Sequence, residues 1–354
     1  MLNVRVISFA DLSSADCARW DEWQAAQTTL DSPYFCRDFM AAFAAHVSRV
    51  EVAVVEEDGE PVAYFPYQRS RWNIAQPVGG ALSDFHGIIG MPGRQFDLLP
   101  ILAAAGLTAW DYQSVPVEQA RGETAAILHH AHYLDLAAGF SAYCGSRKMA
   151  GSETVEKTQR KERALARQHC VRFELQNHDP RLLEQLIQWK QRQNVELGVV
   201  TPLGSSETAT VLKHFLETGT AQLSARLSVL WIGDEPAAVS YSLVMPRTAH
   251  CWFLGFDEKF SRSSPGLILL LKLAEGLAAE GIQRLHLGKG NERFKTSLAT
   301  GHLFLMEGVI GNWSPTLLLL QSWQRAKQRV KRSPLSAAVR LLRPVREWFR
   351  HGGK

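Results

Sequence analysis

Residues 260–288 read FSRSSPGLILLLKLAEGLAAEGIQRLHLG, and this run decides the fold. A small polar loop opens a long apolar helix, which stops at Gly281. A strand, IQRLHLG (282–288), follows it, and another, AHCWFLGFDEKF (249–260), precedes the loop. The order strand, loop, helix, strand is a βαβ crossover. In such units ligands collect where the end of a strand meets the start of the next helix. Ser264 suits an N-cap, and Pro265 suits the first helical position because its missing N–H is not needed there. The same entrance suits an anion, since a helix start carries roughly +0.5 of a charge and several unpaired N–H donors. The loop alone leaves both readings open.

Working outward, LSVLWIGDEPAAVSYSLVMP (227–246) reads as a hairpin, and VEVAVVEEDGEPVAYFPYQRS (50–70) repeats its pattern. Glu60-Pro61 matches Glu235-Pro236, each after a Gly/Asp turn, with the prolines at strand starts where a lost donor is tolerated. A helical segment precedes each hairpin, SPYFCRDFMAAFAAHV (32–47) and SETATVLKHFLETG (206–219). This repetition points to a duplicated αβ unit. Between the copies lies a basic helix carrying Lys157, Arg160, Lys161, Arg163 and Arg167, which reads as a solvated face, and then DPRLLEQLIQWKQRQNVELG (179–198), a helix with an Asp-Pro start and a Gly stop.

The chain has 354 residues, 46% of them hydrophobic, enough for two domains with real cores and a tail. No run of 18 apolar residues is present, which argues against a spanning helix. The opening MLNVRVISFADLSSADC alternates like a strand rather than a secretory leader. Five scattered cysteines without a C-x-x-C pair fit reduced thiols in the cytoplasm. Charge is uneven. Residues 313–354 hold ten Lys/Arg and one acidic residue, Glu347, whereas the rest holds 29 Lys/Arg against 34 Asp/Glu.

The run GFDEKFSRSSPGLILLLKLAEGLAAEGIQRLHLGKGNERFK (255–295) resembles the C-terminal signature of CelD-type proteins, the GNAT-superfamily branch of cellulose and exopolysaccharide biosynthesis, related to FemAB-type aminoacyl transferases. The matching features are Asp257, the helix start Ser264-Pro265-Gly266, and the ending from Gly288 to Lys295. WDEWQAAQTTLDSPYFCRDFMAAF, EPVAYFP and VGGALSDFHGII are similar to that family's first half. The resemblance covers about residues 18–310. It implies an α/β fold of two tandem GNAT-like domains with mixed central sheets: an N-terminal domain over 1–142, a C-terminal acyltransferase domain over 143–312, and a basic amphipathic tail over 313–354. It also implies acetyl-CoA as co-substrate, with no metal. Arg262, Ser263, Ser264, Gly266 and Leu267 would hold its pyrophosphate, and Leu254 and Gly255 would present N–H groups to the thioester oxygen.

The departures from the family pattern matter as much. The strand that usually ends Asp-Leu-Gly ends His286-Leu287-Gly288, the next acid is Asn291, and the usual tyrosine is Phe294. The Gln/Arg-x-x-Gly-x-Gly/Ala loop common in GNAT enzymes is absent. Chemistry then falls to His286, Glu292 and Lys295, with Lys289 and Asn291 beside the acceptor. His286 suits a base near neutral pH but alternates with leucines like a structural residue. Lys295 suits either an anionic substrate or a helix cap. Asp84 and His86, two apart in SDFHG, suit a substrate pair or a turn. LHHAHY (128–133) lacks ligand spacing for zinc.

The implied activity is acetyl transfer to an amine or hydroxyl of a glycan precursor. The alternatives are aminoacyl transfer from aminoacyl-tRNA, or a non-catalytic scaffold in a polysaccharide-synthesis complex. The tail, LLLLQSWQRAKQRVKRSPLSAAVRLLRPVREWFRHGGK (317–354), reads as two short basic amphipathic helices broken at Ser333-Pro334. It suits peripheral attachment to the inner membrane surface, an acidic protein contact, or nucleic acid.

Overall fold

The computed structural model describes residues 2–120, 126–196 and 202–331. Two compact units divide the chain: the first runs to His129 and resumes at Phe304, and the second spans His130–Leu303. The first contains β1 (Leu2–Ser8), α1 (Ser14–Ala25), α2 (Arg37–Ala44), β2 (Val50–Glu57), β3 (Glu60–Arg69), β4 (Ile74–Gln76), β5 (Ile89–Gly90), α3 (Leu98–Ala104) and β6 (Ala109–Pro116). The chain enters the second through β7 (Ile127–Asp135). There follow α4 (Phe140–Met149), α5 (Thr154–Ala166), β8 (Val171–Asn177), α6 (Pro180–Glu196), α7 (Ser206–Glu217), β9 (Ser224–Ile232), β10 (Glu235–Val244), β11 (Thr248–Phe256), α8 (Pro265–Ala279), β12 (Arg284–Lys289) and α9 (Arg293–Leu298). It returns through β13 (Gly301–Gly311) to α10 (Pro315–Lys331). The division expected at 142/143 thus falls within α4. The one expected at 312 falls after the chain has re-entered the first unit, because β13 pairs antiparallel with β6.

Strands run β1-β2-β3-β4-β6-β13 in the first unit, with β5 also on β3, and β7-β12-β11-β10-β9-β8 in the second. Among the described residues, β4 runs parallel to β6 and β11 parallel to β12. The repeat seen in the sequence extends to local geometry. Both hairpins turn in two residues, Asp58-Gly59 and Gly233-Asp234. Asp58 and Gly59 take positive φ, and so does Gly233, as tight hairpin turns require. In both, the register slips directly after the proline, so that Val62 and Ala237 occupy equivalent bulges.

The first unit's core gathers Val55, Phe65, Ile101, Leu102, Trp110 and Tyr112. In the second, α8 is the centre. Its Leu270, Leu273 and Leu277 pack with Leu134, Tyr143 and Leu285, and its Ile268 and Leu269 pack with Leu165, Leu230 and Ala238. A helix this apolar is stable only when covered on several sides. Gly276 permits that closeness, since a Cβ there would lie 3.0 Å from Leu175 Cδ1. The expected tail is not separate from its beginning, because Leu317 and Leu320 of α10 pack on Ile74, Ala109 and Val309. The second tail helix, beyond Ser333-Pro334, lies outside the described residues. Among the described residues, no helix is long and apolar enough to cross a membrane.

Candidate active site

The site grows from the parallel pair in the second unit. β11 and β12 are in register at three positions only, Thr248↔Arg284, Ala249↔Leu285 and His250↔His286. Beyond His250 the strands fork. On its other edge β11 stays paired with β10 as far as Phe256, with a register shift opposite Tyr241/Ser242. The stretch Cys251–Phe256 therefore has a backbone edge outside the β11–β12 ladder, facing the fork.

At the mouth of the fork, residues 258–263 form a 3-10 turn, capped by Asp257 through the Lys259 N–H at 3.0 Å. Ser264 then takes a left-handed conformation, φ 56 and ψ 53, and its side chain makes no capping hydrogen bond to α8. The ordinary N-cap role expected for Ser264 is therefore absent: a left-handed residue aims its side chain away from the first helical N–H groups. Instead, Lys161 of α5 donates to Ser264 Oγ at 2.7 Å and to the Arg262 carbonyl at 3.4 Å. Arg262 is exposed, while Ser263, Ser264 and Leu267 are half-buried. Gly266 is small for a packing reason, since a Cβ there would lie 2.9 Å from Leu254 Cδ2. The start of α8 thus presses directly on β11. An N-terminus of a 15-residue helix, Lys161 and Arg262 converge on one loop, which suits an anion.

Other residues converge on the fork. Gly255 lies under α6, where a Cβ would sit 2.9 Å from Leu186 Cδ1. Lys295 donates to the Lys289 carbonyl at 2.8 Å and pairs with Glu292 at 3.3 Å. Lys289 is half-buried, and Asn291 and Glu292 are exposed. Lys190 of α6 donates to Gln193 Oε1 at 2.8 Å, and burial pushes its ammonium below the usual lysine range, with Cys251 and Glu292 acting against the shift and the Lys295 charge with it. Burial also pushes the Cys251 thiol up to about 12, so it is no ready nucleophile. His130 and His302 stack at 4.4 Å between ring centres, with His132 6.1 Å from His302. Burial first, then the His302 and His130 charges, hold His132 below the usual imidazole value. Among the described residues no group of three side chains is arranged to hold a metal ion.

Two of the expected site residues are buried side chains. His286 is 0% exposed, stacked 6.1 Å from His250 and edge-on to Tyr133 at 5.9 Å, a position that fits the structural reading of its alternation with leucines. His86 lies in the first unit and is 3% exposed. Its Nε2 accepts the Gln113 and Ser114 backbone N–H groups at 2.9 and 3.3 Å and so braces β6. Asp84 is half-buried in the same loop. Lys161 belongs to a charge run that reads as solvated along the sequence, and only the packing of α5 beside the loop brings it to Ser264.

Residues 152–296 match the acetyltransferase (GNAT) domain family. No curated protein matches the chain. Among solved structures, the C-terminal domain of an Agrobacterium fabrum protein named as a lysylphosphatidylglycerol synthetase overlays with a TM-score of 0.51 at 15% identity, covering 87% of this chain and 96% of its own. FemX overlays at 0.57 with 8% identity, covering 86% and 96%. A tandem GNAT protein from the clavulanic acid biosynthesis pathway gives 0.49 at 12% identity, covering 89% and 100%. At such identities the likeness is one of fold. The chain is a mixed α/β protein; residues 152–296, within its second unit, match the acetyltransferase (GNAT) domain family, and the chain shares its fold with FemX.

Proposed function

We propose that the chain is an acyltransferase that takes an acyl group, most simply acetyl, from acyl-CoA at the β11–β12 fork. The acceptor is an amine or hydroxyl of a glycan or exopolysaccharide precursor, a class that rests on the resemblance to CelD-type proteins. The observation that carries the reading is the fork itself: a parallel pair in register at three positions, opening beside a loop that combines Lys161, Arg262 and the start of α8. In this reading, Arg262, Ser263, Ser264, Gly266 and Leu267 hold the pyrophosphate, with Lys161 added to them. The β11 edge at Leu254-Gly255 offers N–H groups to the thioester oxygen as charge develops on it. Lys295, Glu292, Lys289 and Asn291 border the acceptor. Attack is direct, and positioning carries much of the rate. Calorimetric titration of the full chain with acetyl-CoA is expected to show one molecule bound per chain. An absence of binding overturns the reading.

A second reading, aminoacyl transfer from aminoacyl-tRNA, draws on the fold likeness to FemX and on the absent Gln/Arg-x-x-Gly-x-Gly/Ala loop. A scaffold role draws on Phe294, which has no hydroxyl to protonate a leaving thiolate. Attachment to an anionic membrane surface through the basic tail is the partner reading we favour, in a cytoplasmic protein. It is supported by Trp313, Leu318 and Leu319, which are 81%, 48% and 52% exposed on the approach to the tail.

A further inference from the structure

We infer that the first unit binds a neutral sugar ring in a cavity of about 330 Å³ bordered by β5, the loop of residues 91–97 and the turn after β6. The site lies wholly within that unit, and its ligand does not depend on the donor reading above. The internal repeat shows where the cavity falls. The Glu-Pro match sets Ala63 of β3 against Ala238 of β10. The pairs Ala63↔Gly90 and Tyr64↔Ile89 then correspond to Ala238↔Phe256 and Val239↔Gly255, so Ile88 takes the place of Leu254. Likewise β4, parallel to β6, takes the place of the start of β11, parallel to β12. The cavity thus lies at the first unit's own counterpart of the fork. One difference changes its use. Gln119 covers the strand edge there: its Oε1 accepts the Ile88 N–H at 2.8 Å, and its Nε2 donates to the Ile88 carbonyl at 2.8 Å. Gly87 makes room for that amide, since a Cβ there would collide with Gln119 Oε1.

The lining fixes the class of ligand. Its cation is Arg94, whose guanidinium donates to Glu57 at 2.7 Å, and the carboxylates of Glu118 and Asp97 stand against it. This balance disfavours a phosphate or a carboxylate. Acceptors dominate the polar wall. Gln27 commits both its N–H groups, Nε2 donating to the Trp23 and Gly90 carbonyls at 2.9 and 2.8 Å, so toward a ligand its amide can only accept. Glu118 only accepts, and so does Asp97, whose Oδ1 also takes the Leu99 N–H at 3.2 Å. Such a wall suits a ligand that brings several O–H donors. Ile88, Leu98 and Phe96 add an apolar surface for ring C–H groups. Phe96 lies across Gly90, where a Cβ would collide with the ring. Gln27 and Gln119 are each held by two hydrogen bonds, so these walls are set before a ligand arrives. The volume is at the small end of the range for ligand cavities, about 300–1,000 Å³, which matches one sugar ring.

The test uses the full chain and saturation-transfer NMR observed on the ligand, with glucose, galactose, mannose and N-acetylglucosamine as probes. At least one is expected to bind with a dissociation constant of about 1–10 mM. Glu118 is exposed, so Glu118→Ala keeps the fold, and it is expected to weaken that sugar by about tenfold. Phe96→Leu keeps an apolar side chain without the ring and is expected to weaken it by about threefold to tenfold. Thermal melts of both variants check folding, and Glu118→Ala decides alone if Phe96→Leu melts early. Inorganic pyrophosphate and butylamine are expected to leave the sugar in place. No binding of any of the four sugars up to about 50 mM overturns the inference. Undiminished binding in folded Glu118→Ala places the sugar elsewhere on the chain and overturns it too. Displacement by pyrophosphate or by butylamine assigns the cavity to an anion or an amine and overturns it likewise.

Discussion

Replacing Ser264 with glutamate tests the donor loop most directly. Ser264 Oγ accepts from Lys161 Nζ at 2.7 Å, and the residue sits in the left-handed turn from which α8 departs. An introduced carboxylate lands on Lys161 and faces the incoming pyrophosphate. Two unit charges about 4 Å apart at an effective dielectric of about 20 repel by about 4 kcal/mol. That corresponds to about three decades in affinity. Loss of attraction to Lys161 acts in the same direction. Lys161→Met alone is expected to weaken binding only by about tenfold, because this side chain is exposed and its charge is screened by salt. Calorimetry with acetyl-CoA measures both variants, and dephospho-CoA separates the phosphates: a pyrophosphate contact gives the same losses with either ligand. Thermal melts should stay near wild type, because the Ser264 side chain caps nothing. Wild-type affinity in Ser264→Glu refutes the placement of the pyrophosphate at this loop.

His286→Ala should destabilise the fold by about 1–3 kcal/mol in denaturant titrations, while acetyl-CoA affinity per folded molecule stays unchanged; a selective loss of binding or turnover with normal stability contradicts the structural role. His132, held below its ordinary value of 6.5, makes stability intact above that pH and declining as pH falls through and below it, because the unfolded chain takes the proton first. His132→Asn should flatten the acid side of the stability profile, and an unchanged slope counts against the assignment. Cutting the chain after Asn312 removes Trp313, Leu318, Leu319 and the basic tail and should abolish low-salt pelleting with anionic liposomes; equal pelleting of the truncated and full chains removes the membrane reading.

Much of the fold was legible along the chain because it rests on local rules. The Asp58-Gly59 and Gly233-Asp234 turns, the prolines after them, and the apolar run closed by Gly281 are short-range signals that act wherever they occur. The loop of residues 261–267 could be singled out for the same reason, since the offer of N–H groups at a helix start depends on neighbours in sequence. The limits of the two compact units depend on pairings between distant segments. Strand β13 is assigned by its pairing with β6, nearly 200 residues earlier, and no local pattern records a long-range partner.

What the sequence by itself determined is the order of elements, the repeated hairpin, and the small, anion-ready entrance to α8. Only the tertiary structure decided which polar residues are chemically available. His286 and His86 look like reactive histidines in a string of letters, yet packing buries one and backbone donors occupy the other. Lys161 looks like an ordinary helix charge, yet helix packing brings it to Ser264. The reason is physical: a side chain's charge state and reach depend on burial and on neighbours distant in sequence, and those exist only once the sheet and its helices have closed around it.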